Sequence, residues 1–294
     1  MPGMSNPRDY FVNNAVAHVA NRSQGDALDR SLRITLNFHP DRMIDGVTML
    51  EALGRDGLYR NQFETGTSNG GLTAYPAGAR WRWEHHIFGG VYDQAPPPAR
   101  PKYGALNYRR CSVGAAPRFG SAHLRLKEHV LDRTTFCFPD SVSEPVHFGT
   151  AENFNLIQLA EAFAAAKRTD RDEAEMGGRL DDYVEAHVHG AIALTGDVEA
   201  LVLDPCYRGT DMEAIAQGLP VFVEWHSGLR LAVSELRRHP DFRGPRIVSL
   251  AAAISEEGWL DARVVGDARE QLGMHAQDLK MIWHCVARFG QPID

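Results

Sequence analysis

The sequence has 294 residues, 44% of them apolar and 23% charged, and a net charge of -7 at pH 7. Such a chain can bury a sizeable core, as one large domain or two ordinary ones, and its composition excludes a disordered protein. The acidic balance argues against non-specific nucleic-acid binding as the main task, while frequent arginine leaves a local pocket for a small anion open. Cys111, Cys137, Cys206 and Cys285 form no C-x-x-C pair, which favours reduced thiols over a disulfide framework or a zinc ribbon. No run reaches membrane-span length and the first residues hold no apolar signal core, so no membrane partner is expected. The expected location is the cytoplasm, or outside the cell by a route without a cleaved signal.

Residues 1–30 are mixed and polar and read as an arm or cap, with a short helix over 12–19. Leu32, Ile34, Leu36 and Phe38 then alternate with Arg33, Thr35, Asn37 and His39, the period of a strand with one apolar and one polar face. Pro40 stops the strand and leaves His39 at its C-terminal end. A helix is expected over 43–53, capped by Asp41, with Met43, Val47, Leu50 and Leu53 as its apolar stripe and Gly54 beyond it. Gly57 to Phe63 begins as a strand, then Thr65, Gly66, Thr67, Ser68, Asn69, Gly70 and Gly71 form a loop. Glycine lets backbone N–H groups approach a ligand there, although no nucleotide fingerprint is present and a plain hairpin turn explains the stretch equally well.

Trp81, Trp83, His85, His86 and Phe88 make an aromatic-rich stretch, and Pro96, Pro97 and Pro98 a rigid connector. Strands are expected at 102–108, 120–126 and 133–138, and a helix at 155–167 with a solvated charged exit over 168–175. Next, Tyr183, Glu185, His187 and His189 share one face of a strand, with Val184, Ala186 and Val188 on the other. An acid and two imidazoles on one face are costly to bury unless that face lines a cleft; otherwise it faces solvent. An apolar strand follows at 198–204, and helices are expected near 211–217, 226–238, 248–257 and 266–288. The chain therefore reads as α+β, with a strand-rich body over 31–205 and a helical region over 206–294 packed on it.

His39 at the end of the first core strand, a short helix after it, aromatic and hydroxyl residues over 59–68 and Glu185 on a later strand resemble the ADP-ribosyltransferase superfamily, over residues 31–205. The whole chain also looks like a bacterial family known only as a domain of unknown function. The first resemblance implies a split, mostly antiparallel sheet of that type and NAD as the substrate. It implies cleavage of the nicotinamide–ribose bond and transfer of ADP-ribose to protein, nucleic acid, a small molecule or water, in a toxin, effector or housekeeping role. By the same resemblance Glu185, His39 and Tyr59 are catalytic, with Glu185 stabilising the oxocarbenium-like cation. Arg60, Thr65, Gly66, Thr67, Ser68, Asn69 and His187 become NAD-binding positions. Two departures stand out. The family often has Glu or Gln two residues before the catalytic Glu, where this chain has Tyr183, which weakens arginine as an acceptor. Thr65-Gly66-Thr67-Ser68 only approximates the expected Ser-Thr-Ser run.

Two other readings use the same residues. His187-x-His189, with Glu185 and His85, His86, His123 or His147 nearby, would make a metal-dependent hydrolase, although no H-E-x-x-H motif is present. A non-catalytic binding protein would offer the region after Pro205, with Trp259 and Trp283, as its partner surface.

Overall fold

The computed structural model describes residues 7–66, 73–169 and 180–293. The alternation at 32–39 becomes β1, Ile34–Phe38, and all five of its residues are buried. Ile34, Leu36 and Phe38 enter the main hydrophobic core, while Thr35 and Asn37 stand on the opposite face. The other strands of the main sheet are β2 (Lys102–Leu106), β3 (Ala122–Leu126), β4 (Thr134–Phe138), β5 (His147–Thr150), β6 (Glu185–Val188), β7 (Val198–Leu203) and β8 (Phe222–Trp225). They form one eight-stranded sheet in the order β8-β7-β3-β1-β2-β6-β4-β5. All neighbours are antiparallel except β7 and β8. The protein is thus α+β with a large, mostly antiparallel sheet.

The apolar face is filled by residues such as Leu124, Phe136, Val184, Ala186, Val188 and Leu201. Leu50 and Leu53 of α2 (Met49–Asp56) and Leu156 and Ala160 of α4 (Leu156–Thr169) pack onto the same core. The register of the sheet aligns a polar face on its other side. Cys137, Glu185, Ala105 and Thr35 lie directly across from one another, and so do Thr135, His187 and Tyr103. At the β4–β5 end this face is covered by α1 (Pro7–Ala20) and α3 (Ala79–Phe88), through Ala15, Val19, Ile87 and Phe88 against Cys137 and Phe148. Beyond residue 205, α5 (Asp211–Gln217) is followed by α6 (Pro245–Ile254), α7 (Ala262–Leu272) and α8 (Ala276–Phe289). The last three build a second hydrophobic cluster around Trp283. Among the described residues, no helix is long and apolar enough to cross a membrane.

Several local expectations are corrected. The helix expected at 43–53 begins only at Met49, because Asp45 and Gly46, both at positive φ, turn a short hairpin of Met43–Ile44 on Val47–Thr48. Its cap is Thr48, whose side chain and that of Glu51 form a reciprocal capping box; Asp41 is not the cap. The helix expected at 266–288 breaks at Gly273 in a left-handed conformation. Only Val233–Leu236 is helical within 226–238. The C-terminal region is not purely helical, since it contributes β8 to the sheet edge.

Helix α8 also buries His284 with neither ring nitrogen hydrogen-bonded among the described residues. Burial, followed by the charges of Arg118, Arg243 and Lys280, lowers its pKa from 6.5 to about 2. Above about pH 6.5 the ring is neutral whether the chain is folded or not. Below that, only the unfolded chain takes the proton, so stability falls at up to about 1.4 kcal/mol per pH unit. Urea unfolding at stepped pH between 6.5 and 4 should show a shallower loss of stability for His284→Leu than for the unmodified protein. Parallel curves would remove His284 from the acid response.

Candidate active site

Pro40 ends β1, and the chain leaves the sheet beside a pocket of roughly 890 Å³ of empty space, part of it open to solvent. Its wall includes His39, Tyr59, Arg60, Thr65 and Glu185, which come from four separate stretches of sequence. Thr35 and Asn37 of β1, Tyr103 of β2, Arg42, Gln62 and Arg80 complete its polar lining. Tyr59 is brought in by a two-residue ladder with Ile192, just beyond β6. Gly66 ends a helical turn, Gln62–Thr65, in the left-handed region, and its N–H is bonded to the Gln62 carbonyl oxygen. That amide is therefore not free for a diphosphate, contrary to expectation. Thr67, Ser68 and Asn69 lie outside the described residues.

Among the described residues Glu185 is the only acid on the pocket wall, and it is buried. The Ser141 amide donates to its Oε1 and the Ser141 hydroxyl to its Oε2, each at 3.3 Å. His187 Nε2 lies 2.9 Å from Oε1. Burial by itself would raise the pKa of this carboxyl. The His187 bond and charge, Arg80 and Ser141 outweigh it, and the pKa falls below the usual glutamate value.

Behind His187 the bonds continue inward. His187 Nδ1 meets Thr135 Oγ1 at 3.3 Å, Thr135 Oγ1 meets His189 Nε2 at 3.0 Å, and His189 Nδ1 meets the Tyr92 hydroxyl at 2.7 Å. One hydroxyl proton and one proton per neutral imidazole permit two self-consistent assignments. In the first, Tyr92 donates to His189, His189 to Thr135, Thr135 to His187 and His187 to Glu185. In the second, His187 carries protons on both nitrogens and every bond behind it reverses. His189 is neutral in both, as burial, then the charges of His187, Arg133 and Lys102, also require. The polar face of β6 is thus neither solvent-facing nor wholly a cleft wall. His187 is fully buried and absent from the pocket wall, so its predicted contact with NAD is replaced by a bond to Glu185. Strand alternation gave it the right face, but α3 covers it, with Phe88 edge-on at 5.3 Å.

The cations also differ from expectation. Arg60 bonds Asp56 at 3.0 Å. Arg80, which the sequence did not single out, places its guanidinium 4.0 Å over the Tyr103 ring, and its buried Nε and Nη1 have no hydrogen-bond partner among the described residues. Burial opposes its charge, yet Tyr103, Glu185 and Glu84 more than restore it. Beside it Glu84 is pushed up to about 7 by burial, with Arg100, Arg80 and Tyr103 offsetting part of the rise. His39 is held neutral, at about 3, by burial and then Arg42, and it sits edge-on to Trp283 at 5.0 Å. Tyr59 is pushed up to about 12 by burial, so it stays a phenol. The pair proposed for a metal hydrolase does not converge, because both ring nitrogens of His189 are committed to Thr135 and Tyr92. His85 is bonded to Asp93 instead, at 2.8 Å.

Two overlapping stretches, residues 33–168 and 155–289, match the family model described as a protein of unknown function, DUF3626. No curated protein matches the chain.

Thr135 serves two imidazoles with one hydroxyl. Thr135→Val keeps the shape and leaves His187 Nδ1 and His189 Nε2 unpaired, at a cost of about 1–3 kcal/mol for each buried group left without a partner. Urea denaturation should show a loss of at least that size; unchanged stability would mean that the chain of bonds is not formed.

Proposed function

The chain belongs to the DUF3626 family, and for this member we propose cleavage of the nicotinamide–ribose bond of NAD, with ADP-ribose passing to an acceptor or to water. The observation that carries the reading is an ionised, buried carboxylate, Glu185, on the wall of the same pocket as His39, Tyr59, Thr65 and Arg80. The resemblance to ADP-ribosyltransferases named His39, Tyr59, Thr65 and Glu185 but not Arg80, and the assignment of the sheet to that type belongs to this same proposal. The acceptor is protein, nucleic acid or a small molecule, and the expected setting is the cytoplasm.

The chemistry follows from the residues. As the bond between the ribose C1′ and the nicotinamide nitrogen breaks, its electron pair leaves with nicotinamide and C1′ becomes an oxocarbenium-like cation. The Glu185 charge stabilises that cation, and because Ser141 and His187 already hold the carboxylate, little reorganisation is needed as the charge develops. A nucleophilic oxygen or nitrogen then adds to C1′ and loses its proton. Neutral His39 has a ring nitrogen for a ribose hydroxyl. Tyr103 and Tyr59 supply aromatic surface for the nicotinamide ring. Arg80 replaces Arg60 as the cation for the diphosphate, since its unpaired N–H groups match phosphate oxygens.

The test is release of free nicotinamide from NAD by the purified protein, followed by mass spectrometry. Glu185→Gln, confirmed as folded, is expected to slow release by about 10²-fold or more, the scale of losing a transition-state charge contact. Arg80→Ala should instead act mainly on KM, raising it about tenfold or more, the scale of a lost charge-assisted hydrogen bond. Undiminished release by a folded Glu185→Gln protein would end this reading.

A further inference from the structure

Cys137 stands directly opposite Glu185 in the β4–β6 register, and His187 follows two residues along the same face. Their donor atoms all lie within 4.8 Å of one another, the one such cluster of three or more His, Cys, Asp or Glu donors among the described residues. Cys137 Sγ is 3.8 Å from Glu185 Oε1 and 3.8 Å from His187 Nε2, and these two are 2.9 Å apart. A tetrahedral zinc ion, with ligands at about 2.0–2.3 Å, needs donors roughly 3.3–3.7 Å apart. Only the Glu–His separation has to open, by a few tenths of an ångström. We infer that Cys137, Glu185 and His187 form a site for a thiophilic divalent cation such as Zn²⁺, and that an ion held there takes Glu185 away from NAD.

The surroundings suit a metal. His187 bound through Nε2 would donate its Nδ1–H to Thr135, which is the second of the two directions in which the chain of bonds can run. Metal-ligating imidazoles almost always make such an outer bond. Ser141 bonds the far oxygen of Glu185 and would orient it as a ligand. Of the three, Glu185 lines the pocket, which gives the ion its approach from that side. The three ligands sit on paired strands, and no loop has to move to assemble them. On binding, the Cys137 thiol gives up its proton to solvent and the sulfur becomes a thiolate ligand. The charges of Cys137 and Glu185 are then neutralised by the cation, and the field that would stabilise an oxocarbenium ion disappears. The inhibition part of the inference rests on the function proposed above; the metal site itself does not.

Chelator-treated protein titrated with Co²⁺ reports the site directly, because a thiolate ligand produces a strong near-ultraviolet charge-transfer band. One equivalent should develop that band, and Zn²⁺ should displace it. Cys137→Ser should lose the band and weaken binding at least tenfold, while Cys111→Ser, at an exposed thiol, should retain both. No band, or an equal band in Cys137→Ser, overturns the site. Should Cys137→Ser not fold, X-ray absorption of the zinc-loaded unmodified protein replaces it. One sulfur among the ligands is expected there, and a shell of oxygen and nitrogen alone overturns the assignment. Nicotinamide release measured with saturating Zn²⁺ and with chelator tests the second half: zinc is expected to suppress it, and release unaffected by zinc overturns the inhibition. Protein that never releases nicotinamide but shows the cobalt band refutes the NAD reading and upholds the site.

Discussion

A charged carboxylate inside a protein is stable only where donors replace the water it has lost, and Glu185 imposes that demand on half of the sheet. Ser141 meets it from one side and His187 from the other. His187 in turn requires Thr135, Thr135 requires His189, and His189 requires Tyr92. Five side chains, from β4 and β6 with the residues just beyond them and from the segment after α3, are therefore committed to one acid. Low local dielectric makes such a chain costly to break at any link, which is why its members are locked in position.

Around that acid the sheet divides its labour by face. The apolar face anchors the main core under α2 and α4. The opposite face is closed over His187 and His189 by α3 and left open over Thr35, Asn37 and the end of β1. Gly104 shows how tightly the open part is drawn: a Cβ there would lie 2.7 Å from the Thr35 carbonyl oxygen, so only glycine lets β2 approach β1 at the pocket wall. The same face thus presents a carboxylate to the pocket and hides the imidazoles that orient it.

An acidic chain with a basic pocket resolves the tension in its composition. The net charge of -7 describes the surface as a whole, whereas Arg42 and Arg80 reach the pocket beside Glu185. Those cations favour an anionic ligand, and Arg80 also helps to keep the acid ionised. The two chemistries drawn from the site use the same carboxylate, Glu185, and exclude each other. Either the carboxylate faces a ligand in the pocket or it closes on a cation with Cys137 and His187.

The sequence by itself determined what depends on neighbours along the chain. The period of two placed Ile34, Leu36 and Phe38 in the core, put Glu185 and His187 on one face, and located most strands to within a residue or two. Proline after His39 marked where β1 had to end. Helix boundaries were read less well where a turn with positive φ overrode the apolar stripe, as at Asp45 and Gly46. What sequence order could not supply was the partner of each polar group. Arg60 and Arg80 look alike as letters, and only packing ties the first to Asp56 and leaves the second facing Glu185. Cys137 read only as one of four reduced thiols, until strand pairing set it across from the acid. Local periodicity fixes which face a residue occupies; whether that face is covered, opened or paired is decided by segments tens of residues away.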